Sequence, residues 1–163
     1  MRMNRAKSSS DSKTLVKVIS IGAVAGLRAM MPAALLSYAA LQRRKDASDG
    51  GIFASGGAAA IFGLLAVGEL VGDKLPMTPN RTEPVGLAAR IASGAIGGGV
   101  ICSQRKKSVP VGIAAGAAAA AAAAYAGQNI RRAIARETGV HSSVIGAVED
   151  AIAIGIGASA VKD

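Results

Sequence analysis

Residues 108–130 run for a full membrane thickness without one Asp, Glu, Lys or Arg, and eight consecutive alanines, Ala117 to Ala124, lie within the run. About 20 mostly apolar residues cross a bilayer as a helix. A run of such small side chains buries too little area to hold a soluble core together. A second uncharged run covers residues 50–68. Three more reach the required length if one or two charges are tolerated: 15–41 with Lys17 and Arg28, 85–104 with Arg90, and 142–161 with Glu149 and Asp150. The composition agrees. The chain has no Trp, two Phe and two Tyr, 18% charged residues, and a mean hydropathy of +0.40.

The expected fold class is therefore all-α, an integral membrane helical bundle of about five hydrophobic segments. They fall near 15–41, 50–72, 85–104, 108–130 and 142–161, inside a membrane domain over residues 14–163. The first is long for a single span, and Pro32 removes a backbone donor within it. It is expected to be broken or kinked at Pro32, as one bent span or a re-entrant pair. Residues 1–13 read as a basic, disordered cytoplasmic tail. Residues 73–84 contain three prolines and cannot form a continuous helix. Residues 128–138 read as a helical extension stopped by Gly139. The expected location is the cell (plasma or inner) membrane, with a multi-pass topology.

The net charge of +9 suggests nucleic acid at first sight. The basic residues instead lie in short clusters between apolar runs, where Lys and Arg commonly flank membrane spans, and there are few aromatic side chains to stack on bases. The partners expected are the lipid bilayer, anionic lipid at the basic tail, and no nucleic acid; a homo-oligomer stays open. The lone Cys102 rules out an internal disulfide. No nucleophile–base pair or metal-ligand spacing appears, so neither an enzyme, nor a metal site, nor a cofactor is expected. His141, just before Ser142 and Ser143, reads as a neighbour of a helix start.

Glycines recur four residues apart as Gly22/Gly26, Gly68/Gly72, Gly94/Gly98 and Gly112/Gly116. Each pair shares one helix face and permits close crossing in a membrane.

The most informative residues are ionisable ones where lipid should be: Arg28, Glu69, Asp73, Arg90, Glu149 and Asp150. Each costs roughly 2.5–3.5 kcal/mol at the bilayer centre on insertion scales, so they must face the interior, reach an interface, or pair. Glu69 and Asp73 share a helix face. Glu149 and Asp150 point about 100° apart, so at most one faces a given partner directly. The function expected is a transporter or channel-like protein in which these charges line or gate a pathway for a small solute or ion; the alternative is a non-transporting scaffold or assembly subunit in which they are structural pairs. A polar cavity open to one side favours transport; a closed, fully paired cluster favours the scaffold.

The stretches Gly26-Leu27-Arg28-Ala29, Glu69-Leu70-Val71-Gly72-Asp73-Lys74-Leu75-Pro76, Thr78-Pro79-Asn80-Arg81-Thr82, Ala89-Arg90-Ile91-Ala92-Ser93-Gly94 and Glu149-Asp150-Ala151 are similar to the bacterial membrane family catalogued as domain of unknown function 4126. The resemblance implies a small multi-span membrane protein, with its signature on these charged positions, and brings no activity with it.

Overall fold

The computed structural model describes residues 2–43, 55–72, 83–138 and 142–162. Six helices occupy them: α1 (Arg2–Leu27), α2 (Met31–Arg43), α3 (Gly56–Gly72), α4 (Pro84–Gln104), α5 (Val109–Thr138) and α6 (Ser142–Val161). Among the described residues there is no strand. The helices α4, α5 and α6 are each long and apolar enough to cross a membrane, and α3 is a shorter apolar helix. The protein is a helical membrane protein.

Side chains are sorted in the sense that lipid requires. The buried positions of α4 include Gly94, Gly97, Gly98 and Gly99; those of α5 are Gly112, Gly116, Ala120, Ala124, Gly127 and Gln128. Large aliphatics face outward instead, among them Leu64, Val85, Ile96, Val111 and Ile152. Small residues inside let backbones touch, and large ones outside suit acyl chains.

The tight core is the triple contact of α1, α4 and α5. A Cβ added to Gly22 would stand 2.5 Å from the Gly116 carbonyl oxygen, and one added to Gly94 would stand 2.5 Å from the same atom. A Cβ on Gly112 would stand 2.5 Å from the Gly98 oxygen. Gly26 approaches the Ala120 oxygen in the same way. Only glycine fits where one helix backbone lies against another's carbonyls. The pair Gly68/Gly72 behaves differently from its sequence reading. A Cβ on Gly68 would meet nothing within 4 Å, because α3 packs chiefly against α2 and leaves that face open; no contact of Gly72 is described.

The long first segment divides into α1 and α2, with residues 28–30 outside either helix. The break precedes Pro32 rather than falling on it. The proline ring excludes a helical carbonyl four residues back, at Arg28; in the first turn of α2 its missing N–H costs nothing. The chain then reverses. Ile21 and Leu36 both lie within 4 Å of the point where a Cβ of Gly97 would stand, and Val24 and Leu35 meet at Gly157 in the same manner. In a straight helix Ile21 and Leu36 would be roughly 22 Å apart at about 1.5 Å per residue. The helices α1 and α2 thus form a hairpin with α4 on one side and α6 on the other.

The tail read as disordered over residues 1–13 is helical from Arg2 onward. No Gly or Pro occurs between Met1 and Ile21, so a helix nucleated in the apolar part propagates into it at little cost.

Candidate functional site

The reversal leaves helix-end backbone groups without intrahelical partners, far from water. The last bond of α1 runs from Arg28 N–H to Val24 C=O at 2.7 Å, and the first of α2 from Ala34 N–H to Met30 C=O at 3.2 Å. Between them, carbonyls at the end of α1 and amides at the start of α2 need partners. Each left unpaired costs about 1–3 kcal/mol.

Three side chains from other helices supply them. Arg90 on α4 donates from Nη1 to the Gly26 carbonyl at 3.1 Å and to the Leu27 carbonyl at 2.6 Å. Glu69 on α3 accepts from Ala29 N–H at 2.7 Å and from Met30 N–H at 2.8 Å, one through each oxygen. Ser93, one turn beyond Arg90, donates to the Ala29 carbonyl at 2.5 Å. The signs match the helix dipoles: a cation at the C-terminus of α1 and an anion at the N-terminus of α2. The two caps also attract each other, with Arg90 Nη2 3.6 Å from Glu69 Oε1.

Arg28 lies within the break and is 1% exposed. Its Nε donates to Asp150 Oδ1 at 2.5 Å, and its Nη2 contacts the same oxygen. The neighbouring Glu149 turns to α5, where its Oε2 lies 4.0 Å from Arg131 Nε. Adjacent carboxylates on one helix thus serve two different segments, α5 and the break between α1 and α2.

Five of the six charged residues singled out in the sequence therefore converge around one reversal: Arg28, Glu69, Arg90, Glu149 and Asp150. Asp73 and His141 lie outside the described residues. Two participants were not singled out. Ser93 stands three residues after Arg90, hence on the same face, and that spacing was its signal. Arg131 falls in residues 128–138, where the sequence predicts a helical extension beyond the membrane. Yet Gly112, Gly116, Ala120, Ala124 and Gln128 form one buried stripe down α5, and continuing it by another turn reaches Arg131.

A family model, domain of unknown function 4126, matches residues 15–162. The chain belongs to that family. No curated protein and no solved structure matches it. The matched region takes in both helices of the hairpin from Leu15 onward and every side chain at the reversal. The basic helical extension before Leu15 stands outside it.

Proposed function

We propose that this family member is a multi-pass protein of the cell membrane with a non-enzymatic scaffold or assembly role, in which the buried charges hold a re-entrant hairpin in place. The observation that carries this reading is the balance at the reversal. Arg28, Arg90 and Arg131 face Asp150, Glu69 and Glu149, three of each sign. The Gly26, Leu27 and Ala29 carbonyls and the Ala29 and Met30 amides of the break are taken up by Arg90, Glu69 and Ser93. A balanced, backbone-capping cluster leaves no net charge to hold a permeating ion. The returning arm of the hairpin is short: α2 has 13 residues, about 20 Å of helix, against a hydrocarbon core of roughly 30 Å. The tip therefore ends inside the bilayer, where irregular backbone is tolerated only if protein covers it.

Transport of a small solute or ion is the second reading. It is favoured by the same non-helical backbone at membrane depth, a feature of many transporter sites.

Reconstitution into liposomes separates the two. Wild-type protein is assayed against a panel of ions and small metabolites, beside Glu69→Gln and Glu149→Gln. Under the scaffold reading no solute moves, Arg28→Ala lowers thermal stability and assembly, and the exchange Arg28→Asp with Asp150→Arg restores part of the loss. Wild-type flux that falls in the Gln variants while the fold survives would establish transport instead.

A further inference from the structure

The clusters of Lys and Arg look evenly spread along the sequence, but the fold sorts them. Helix direction alternates along the chain. The first helix runs toward the reversal, α2 away from it, α3 toward Glu69, α4 away from Arg90, α5 toward Arg131 and α6 away from Asp150. The start of α1, the end of α2, the α4–α5 turn and the end of α6 consequently share one end of the bundle. Two contacts tie that end together. Lys107 Nζ lies 2.5 Å from Asp11 Oδ1, and Lys17 donates to the Lys162 carbonyl.

Among the described residues this end carries Arg2, Arg5, Lys7, Lys13 and Lys17 along α1, Arg43 on α2, Arg105 to Lys107 in the turn, and Lys162. Its only described acid is Asp11. At the opposite end Arg28, Arg90, Arg131, Arg132 and Arg136 are matched in number by Glu69, Glu83, Glu137, Glu149 and Asp150. The sequence outside the described residues is close to neutral: 44–54 hold Arg44 and Lys45 with Asp46 and Asp49, and 73–82 hold Lys74 and Arg81 with Asp73.

The basic end also has the layered arrangement that a phospholipid requires. Lys13 is exposed, and exposed Leu15, Val16 and Ile19 follow it along α1. Lys106 is exposed in the turn, and exposed Val109, Val111 and Ile113 follow along α5. Cationic groups thus sit at headgroup level directly over aliphatic surface. Lys106 has φ of 53°, a left-handed conformation that glycine adopts more readily, yet a lysine occupies it.

We propose that this end is the cytoplasmic face of the protein and a binding collar for anionic phospholipid, with Lys13, Arg105, Lys106 and Lys107 on the phosphates and the aliphatic band on the acyl chains. An excess of Lys and Arg near membrane helices marks the cytoplasmic side, and that leaflet's anionic lipids attract basic segments near the surface. The inference holds whether or not the protein conducts solute.

Two experiments test it. In the first, full-length protein in nanodiscs of phosphatidylcholine with one-fifth phosphatidylglycerol is extracted, and its retained lipid is measured. Phosphatidylglycerol should be enriched, and the triple change Arg105→Gln, Lys106→Gln, Lys107→Gln should reduce retention by on the order of tenfold. The control Arg132→Gln with Arg136→Gln should leave it unchanged. Equal retention of the two lipids, or an equal loss in the control, overturns the collar. Displacement by inorganic phosphate at the same headgroup concentration also overturns it, by reducing the site to one for free anions. In the second, a membrane-impermeant maleimide is added to cells carrying single cysteines in a Cys102→Ala background. Thr138→Cys should react in intact cells and Ser10→Cys only after permeabilisation; the reverse pattern overturns the orientation.

Discussion

The seam between α4 and α5 and the reversal between α1 and α2 solve the same problem, holding helices together without help from water, by opposite means. Along the seam the contact is backbone against backbone. Gly94, Gly98, Gly112 and Gly116 remove every obstacle between backbones, and dispersion over the close contact does the rest. At the reversal the backbone is irregular, and the side chains of Arg90, Glu69 and Ser93 reach across to satisfy it, while Arg28 within it pairs with Asp150. One region is damaged by adding atoms and the other by removing them. The seam specifies how near the helices come. The reversal specifies which helices they are, because the carbonyls at the end of α1 need a donor such as Arg90 and the amides at the start of α2 an acceptor such as Glu69.

The sharpest break in this contrast is at the reversal. Arg90→Ala strips two carbonyls and leaves Glu69 with its backbone amides alone; a loss of about 3–5 kcal/mol is expected for removing one partner of a buried pair. Thermal unfolding in detergent measures it, and a change under about 1 kcal/mol would show that water already serves those carbonyls. Next comes Gly112→Val, which forces side-chain atoms against the Gly98 oxygen and Cys102 Sγ. Overpacking of this kind costs about 1–3 kcal/mol and should appear as lowered stability and, on cysteine cross-linking between α4 and α5, as a wider separation.

Ser93→Ala removes one hydroxyl bond to Ala29 and should cost about 1 kcal/mol, readable in the same unfolding assay. Gly68→Ala sharpens the comparison from the other side. Its added methyl meets open space, so helix propensity alone should make the variant neutral to about 1 kcal/mol more stable. Destabilisation there would mean that a second molecule packs on the open face of α3.

Much of the architecture was legible because membrane helices announce themselves locally. The runs at 85–104 and 142–161 and the helical extension through Thr138 coincide closely with α4, α6 and the end of α5. Pro32 signalled the break. The charged residues stood out because hydrocarbon excludes them, and that argument needs no knowledge of neighbours. Gly68 was misjudged for the complementary reason: a glycine pair records only that close approach is permitted, and whether a helix comes to fill the space depends on the rest of the chain.

The residues by themselves determined the solvent, the helices, and the short set of acids and bases that must find partners, since hydropathy, helical period and the cost of a buried charge all operate within one segment. Only the tertiary structure decided that α2 doubles back along α1, that Arg28 meets Asp150 rather than Glu149, and that the basic clusters gather at one end. Those outcomes join residues as far apart as Arg28 and Asp150. They are set by which helix surfaces fit closest, a property of two faces together that neither face carries alone.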